Sequence, residues 1–219
     1  MTRRLMLFAG LAALGIAAFP LEVLADPIAF KMLPTYSRAT FKLDAPLETI
    51  VGNTAGPGVS GSLTVDPAKP QTGSGTIKVD LSTLNSGIAK RDEDMRSASY
   101  LDTAAGDANR FAVFEIKNVE VPGPLEPGKE VLAKVSGVLT IKGKPVQTVA
   151  DARVTYVKLT TDQLEKDNQK RFGFTTDNLK VRAKFNTKLS DHGIPIPQLL
   201  ILKVSNDVQL ETDLTFVKQ

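Results

Sequence analysis

Residues 180–189 read KVRAKFNTKL. Val181, Ala183, Phe185 and Leu189 fall on one side of an extended chain. Lys180, Arg182, Lys184, Asn186 and Lys188 fall on the other. Side chains along a strand alternate between two faces, so this segment is a strand with one apolar and one charged face. Residues 208–216 repeat the pattern, with Val208, Leu210, Leu214 and Phe216 opposite Gln209, Glu211, Asp213 and Thr215. Residues 59–65, 77–81 and 131–141 alternate as well. Residues 37–43, 111–121 and 146–157 do so less cleanly, which makes about eight half-buried strands.

Turn residues separate these runs. Pro67–Gly73, Pro122-Gly123-Pro124, Pro127-Gly128 and Lys142-Gly143-Lys144-Pro145 all lie between periodic segments. Short connectors favour antiparallel neighbours, and many antiparallel strands with one apolar face close into a barrel or stack as a sandwich. An outer-membrane barrel alternates too, with its apolar side facing lipid. That reading fails here. Aromatic residues are only 6% with no Trp, and the chain ends in Val217-Lys218-Gln219. The four cations of residues 180–188 also cannot share a narrow barrel interior without partners. The apolar face points inward.

The first 25 residues read as an export signal. Arg3 and Arg4 form a charged start, residues 5–19 are uncharged and apolar, Pro20 breaks the helix, and Val23-Leu24-Ala25 supplies small residues for cleavage after Ala25. Residues 2–7 also resemble a twin-arginine motif. The expected mature chain, residues 26–219, is one periplasmic domain. It carries 25 basic against 23 acidic residues, too even a balance for a nucleic-acid binder. The chain has no Cys and one His, which removes disulfide scaffolds, cysteine nucleophiles and multi-histidine metal sites.

Other motifs have plain readings. Gly56–Gly61 matches G-x-G-x-x-G, but it contains Pro and leads into a strand rather than a helix, so it is a turn. His192, beside Asp191, reads as a loop residue without a catalytic companion. Asp92-Glu93-Asp94 reads as the solvated start of a short helix over residues 89–103, and residues 161–171 as a polar insertion. The basic face of residues 180–188 either meets an anionic surface or is paired by carboxylates on adjacent strands. Residues 199–202, four apolar residues in a Pro-bounded stretch, close one end of the core or form a lip. No catalytic residue, metal site or cofactor is assigned.

Several segments in order resemble the YceI family. Leu81–Gly87, Lys90-Arg91-Asp92, Met95-Arg96-Ser97 and Tyr100-Leu101-Asp102 match its central strand, turn and helix. Arg110–Ile116 matches the following strand. Val135–Gly143 with Pro145-Val146 matches its "G-x-L-T" segment, Lys188–Ile194 a late turn, and Val204–Val208 the approach to the last strand. Asp94 stands where the family helix has His, and Lys188 and His192 replace the Arg and Phe of the late turn. The first-strand His is missing near Asp44.

The resemblance implies an all-β, lipocalin-like, eight-stranded antiparallel barrel with one short helix, exported, whose lumen holds an apolar lipid such as an isoprenoid or fatty-acyl amphiphile. The expected ligand-facing residues are Phe41, Leu63, Ile77, Val79, Phe114, Ile116, Leu139, Phe174, Val181, Phe185 and Leu210. Gly61, Ala133, Gly137 and Ala183 would leave space, and Arg91 and Arg96 would meet an anionic head group or pair with Asp92 and Asp94. A structural or partner-binding module with a side-chain-filled barrel gives the same pattern, an enzyme using the barrel as a substrate pocket is the further alternative, and transient membrane contact and a homodimer stay open.

Overall fold

The computed structural model describes residues 26–199 and 202–219. The expected export segment, residues 1–25, lies outside the described residues, as do residues 200 and 201 of the apolar quartet.

Thirteen strands run in chain order: β1 Ile28–Met32, β2 Arg38–Ala45, β3 Glu48–Thr54, β4 Val59–Val65, β5 Ser74–Asp80, β6 Leu84–Asn85, β7 Phe111–Glu120, β8 Glu130–Ile141, β9 Lys144–Lys158, β10 Asp177–Lys188, β11 Gln198–Leu199, β12 Leu202–Lys203 and β13 Asp207–Lys218. Among the described residues three α-helices accompany them: α1 Ala89–Arg96, α2 Asp107–Arg110 and α3 Thr161–Lys166. The strands β1, β4, β5, β7, β8, β9, β10 and β13 pair antiparallel in that order, and β1 pairs back onto β13 to close an eight-stranded barrel.

The strand expected over residues 37–43 is β2, but it shares its place beside β13 with β1, which alternation did not mark. β13 pairs with β2 through Val208–Asp213 and with β1 through Phe216–Lys218. Pro34 opens a helical turn between them, and Ser37 spans the break: its Oγ donates to Leu33 O at 2.9 Å and accepts from Thr215 N at 3.0 Å. β1 continues into the ring. β2 turns outward into β3 and then β6, which form a flap above one end of the barrel.

Cross-strand register sorts the faces. On β10 the inward row meets the inward rows of β9 and β13, with Val181 opposite Val154 and Leu214, and Phe185 opposite Leu210. The outward cations meet carboxylates. Lys184 lies 3.4 Å from Glu211 and Lys180 3.9 Å from Asp213, while Arg182 pairs with Glu130, which also holds Arg153 at 3.0 Å. Carboxylates pair three of the four cations of that face, two from the adjacent β13 and one, Glu130, from β8 beyond β9.

The ends of the barrel differ. At one end Phe30, Leu179, Leu214 and Phe216 pack with Tyr156 and Leu125 in a fully buried plug. The chain after β7 crosses this end, and Leu125 N donates to Pro67 O at 2.7 Å. At the other end Leu81, Leu84, Leu139, Ile141 and Ile194 form a looser ring that α1 and the β2–β3 flap overhang.

The helices correct the expected single segment. α1 stops at Arg96, and the chain then turns through Asp102, which has a φ of 53°. Asp92 is not solvated. It is buried, and its carboxylate accepts from Ser86 N at 2.8 Å and Ser86 Oγ at 2.7 Å, pinning α1 to the preceding turn. The polar insertion is α3, opened by a capping box of Thr160 and Gln163, followed by a helical turn over Gln169–Phe172.

Candidate functional site

Inside the barrel is a cavity of about 580 Å³. Its wall is almost wholly apolar. Phe41, Ile77, Val79, Phe114, Ile116, Val181, Phe185 and Leu210 line it and are only partly buried, although alternation points each of them inward. An inward side chain in a solid core loses its exposure. These keep theirs because their inner surfaces border open space. Leu63 and Leu139 line it too and are more closely packed, at 7% and 4% exposure.

Bulky and small residues together shape the space. Phe114 and Phe185 meet with ring centroids 5.8 Å apart. A Cβ at Gly52 would lie 2.5 Å from the Phe41 ring and one at Gly137 2.7 Å from the Phe114 ring, so each phenyl lies over a neighbouring strand where no side chain stands. Of the four small residues expected to open the lumen, only Ala183 borders it. Gly137 instead accommodates Phe114, and Gly61 sits where a Cβ would strike Thr76 O at 2.4 Å. Ala133 is packed and does not border the cavity. The room comes from Ala39, Ala112, Ala150, Ala152 and Ala183.

Two of the thirteen expected residues lie elsewhere. Phe174 stacks on Tyr36, with centroids 5.3 Å apart, and takes no part in the lumen wall. It precedes β10, in the segment between the Gln169–Phe172 turn and that strand, where strand alternation no longer sets its direction. Arg96 donates from Nη1 to Leu84 O at 2.8 Å and does not border the cavity. Arg91 does border it. Its Nη2 lies 2.6 and 2.9 Å from the two oxygens of Glu48, tying α1 to the β2–β3 flap, so it pairs with neither Asp92 nor Asp94. Asp94 holds Lys90 at 3.0 Å, and Glu93 holds it at 3.4 Å. The exposed Lys90 and Asp94 mark where the cavity reaches the surface.

His192 is a loop residue, but a fully buried one. It sits on the turn Ser190–His192, lines the cavity and is 1% exposed. Its Nδ1 lies 3.2 Å from Lys144 O and its Nε2 2.8 Å from Thr187 Oγ1. A carbonyl only accepts, so Nδ1 carries the proton and Nε2 accepts from the threonine hydroxyl. Burial holds its pKa below the ordinary histidine value, against the opposing pull of the Lys144 carbonyl. Nothing in the local sequence distinguishes it; only the fold brings Lys144 and Thr187 to it.

Among the described residues no cluster of His, Asp or Glu could hold a metal ion, and no helix is long and apolar enough to cross a membrane.

A closed antiparallel barrel with a hollow apolar lumen, sealed at one end and overhung by a helix and a flap at the other, is a lipocalin-like fold. The chain belongs to the YceI-like domain family, whose pattern matches residues 30–216. BcnA of Burkholderia cenocepacia is similar in structure, with a TM-score of 0.61 at 18% identity, covering 84% of this chain and 98% of that one. A polyisoprenoid-binding domain of Saccharophagus degradans, implicated in plant cell wall breakdown, gives 0.61 at 16% identity over 88% and 99% of the two chains. A YceI protein of Campylobacter jejuni gives 0.58 at 17% identity over 78% and 87%. No curated protein sequence matches the chain.

Proposed function

We propose that this chain is an exported periplasmic protein that binds an apolar lipid, an isoprenoid or fatty-acyl amphiphile, in the barrel lumen, and that it catalyses no reaction. The observation that carries this reading is the hollow lumen, whose inward-facing Phe and aliphatic side chains keep exposed surface on their inner sides. Apolar surface left facing water is unfavourable. A hydrocarbon chain entering the lumen gains about 0.8 kcal/mol for each methylene buried. The eleven expected residues that border the cavity are its contacts: Phe41, Leu63, Ile77, Val79, Phe114, Ile116, Leu139, Val181, Phe185 and Leu210 along the wall, with Arg91 at the opening. The polar groups there engage one another: Arg91 with Glu48, Lys90 with Asp94, His192 with Thr187. That arrangement supports holding rather than turning over a ligand. The polyisoprenoid-binding domain of similar fold supports a prenyl chain as occupant, and the apolar run of residues 5–19 supports export.

The test is mass spectrometry of an organic extract of the protein purified from its native periplasm without detergent. One lipid species near one equivalent is the expected result. An empty extract, together with no thermal shift on adding prenyl or acyl lipids, overturns the proposal and returns the barrel to a structural or partner-binding role.

A further inference from the structure

We infer that the lumen takes a single-chain amphiphile of about twenty heavy atoms whose head group carries no net charge. This rests on the lipid-binding reading above and names the occupant more closely.

The opening decides the head group. Its cations are Lys90 and Arg91, and its carboxylates are Glu48 and Asp94. Arg91 is held by both oxygens of Glu48, at 2.6 and 2.9 Å. Lys90 lies 3.0 Å from Asp94 and 3.4 Å from Glu93. Both cations are taken, and the two carboxylates that border the opening balance them. The remaining charged residue bordering the cavity, Glu211, is paired with Lys184 on the outer face. A phosphate or carboxylate head would have to displace one of these carboxylates and then face the rest. A charge placed beside like charges without its own partner is disfavoured. An uncharged head has a partner at hand. Tyr100 borders the cavity, and its hydroxyl makes no hydrogen bond among the described residues.

Volume decides the chain. At roughly 30 Å³ for each heavy atom, the size of a water in the liquid, 580 Å³ holds about twenty such atoms. The wall runs along β13 from Val208 to Phe216, about 27 Å of strand at ~3.4 Å a residue. A tilt of roughly 40° shortens that to ~20 Å along the barrel axis. Volume over depth leaves a section of about 30 Å², enough for one chain and less than two side by side need. Phe114 and Phe185, 5.8 Å apart, narrow the passage further.

The experiment is isothermal titration of the purified mature protein with three probes: geranylgeraniol, geranylgeranyl diphosphate and a prenol of twice that length. Geranylgeraniol is expected at one equivalent, about tenfold tighter than either other probe. Glu48→Gln frees Arg91 and is expected to narrow the gap between the alcohol and the diphosphate. Diphosphate binding as tight as the alcohol in the unaltered protein overturns the uncharged head. Equal or tighter binding of the long prenol overturns the length. If none of the three binds, the lipid reading itself falls.

Discussion

Phe114 on β7 and Phe185 on β10 meet with ring centroids 5.8 Å apart and planes inclined at 35°, although β8 and β9 lie between their strands in the sheet. The contact therefore spans the lumen. Each ring packs on its partner and on its own wall, and its free surface borders the cavity. Removing a phenyl from a filled core costs about 3–5 kcal/mol. Phe114→Ala is expected to cost less, about 2 kcal/mol, because part of the ring already faces open space. Urea unfolding measures this, and a loss at the top of the filled-core range would point to a solid interior.

Ala183 lies between Val181 and Phe185 on the same inward row, opposite Ala152 and Thr212. Ala183→Phe puts a ring into the lumen at this level. The barrel is expected to keep its β-sheet circular dichroism, at a cost of about 1–3 kcal/mol for overpacking. The thermal shift produced by a prenol in the unaltered protein is expected to vanish. An undiminished shift would place the ligand elsewhere.

His192 ties stability to pH. Its folded pKa is depressed by burial below the ordinary 6.5. The unfolded chain therefore binds a proton that the folded chain refuses. Stability is complete above the unfolded value and falls as pH drops below about 6.5. His192→Asn removes this titration. Melting temperatures between pH 7.5 and 5 are expected to fall more steeply for the unaltered protein than for the variant; parallel curves would contradict the buried neutral imidazole.

At the sealed end Tyr156 donates its hydroxyl to Asp177, which also accepts from Thr176 Oγ1 at 2.8 Å and lies 3.4 Å from Lys218 Nζ. Burial raises the Asp177 pKa, but these hydrogen bonds and the ammonium outweigh it and leave the carboxyl below its ordinary 3.8. The same contact and burial push the Tyr156 phenol up. Tyr156→Phe leaves a buried carboxylate short of one donor and is expected to cost about 1–3 kcal/mol near neutral pH. Because the Asp177 pKa is depressed on folding, its contribution is present above pH 4 and lost as pH falls through the folded value. The cost of Tyr156→Phe should therefore shrink in acid. An equal cost at pH 7 and pH 3, by urea unfolding, would contradict this.

The charged outer face carries little weight in stability. Arg182 pairs with Glu130 while 48% of its side chain remains exposed, and exposed pairs contribute little. Arg182→Ala is expected to leave the urea midpoint nearly unchanged, and a large fall would mark that face as structurally committed.

Much of this architecture can be read from alternation, because a barrel imposes one rule on every strand: one face in, one face out. KVRAKFNTKL carries that rule openly, and its inward residues line the lumen. The rule fails where the chain leaves the sheet. Phe174 precedes its strand and turns to Tyr36, and Arg96 spends its guanidinium on the Leu84 carbonyl. β1 went unmarked because it is only five residues long and runs into the Pro34 turn. The partners of His192, Asp92 and Tyr156 come from loop geometry or from strands brought together by folding, which residue spacing does not encode. Hollow and filled barrels share one alternation pattern. The difference lies in where Ala39, Ala150, Ala152 and Ala183 fall around the ring, and that depends on register.

The most direct test of ligand carriage in the lumen is photoaffinity labelling with a diazirine-bearing prenol of about twenty heavy atoms, followed by peptide mapping. Adducts are expected on β7, β10 and β13, at the peptides that hold Phe114, Phe185 and Leu210, with label suppressed by unmodified prenol. Adducts confined to the exposed exterior residues Leu132 and Val149, or label that unmodified prenol does not compete away, would contradict it.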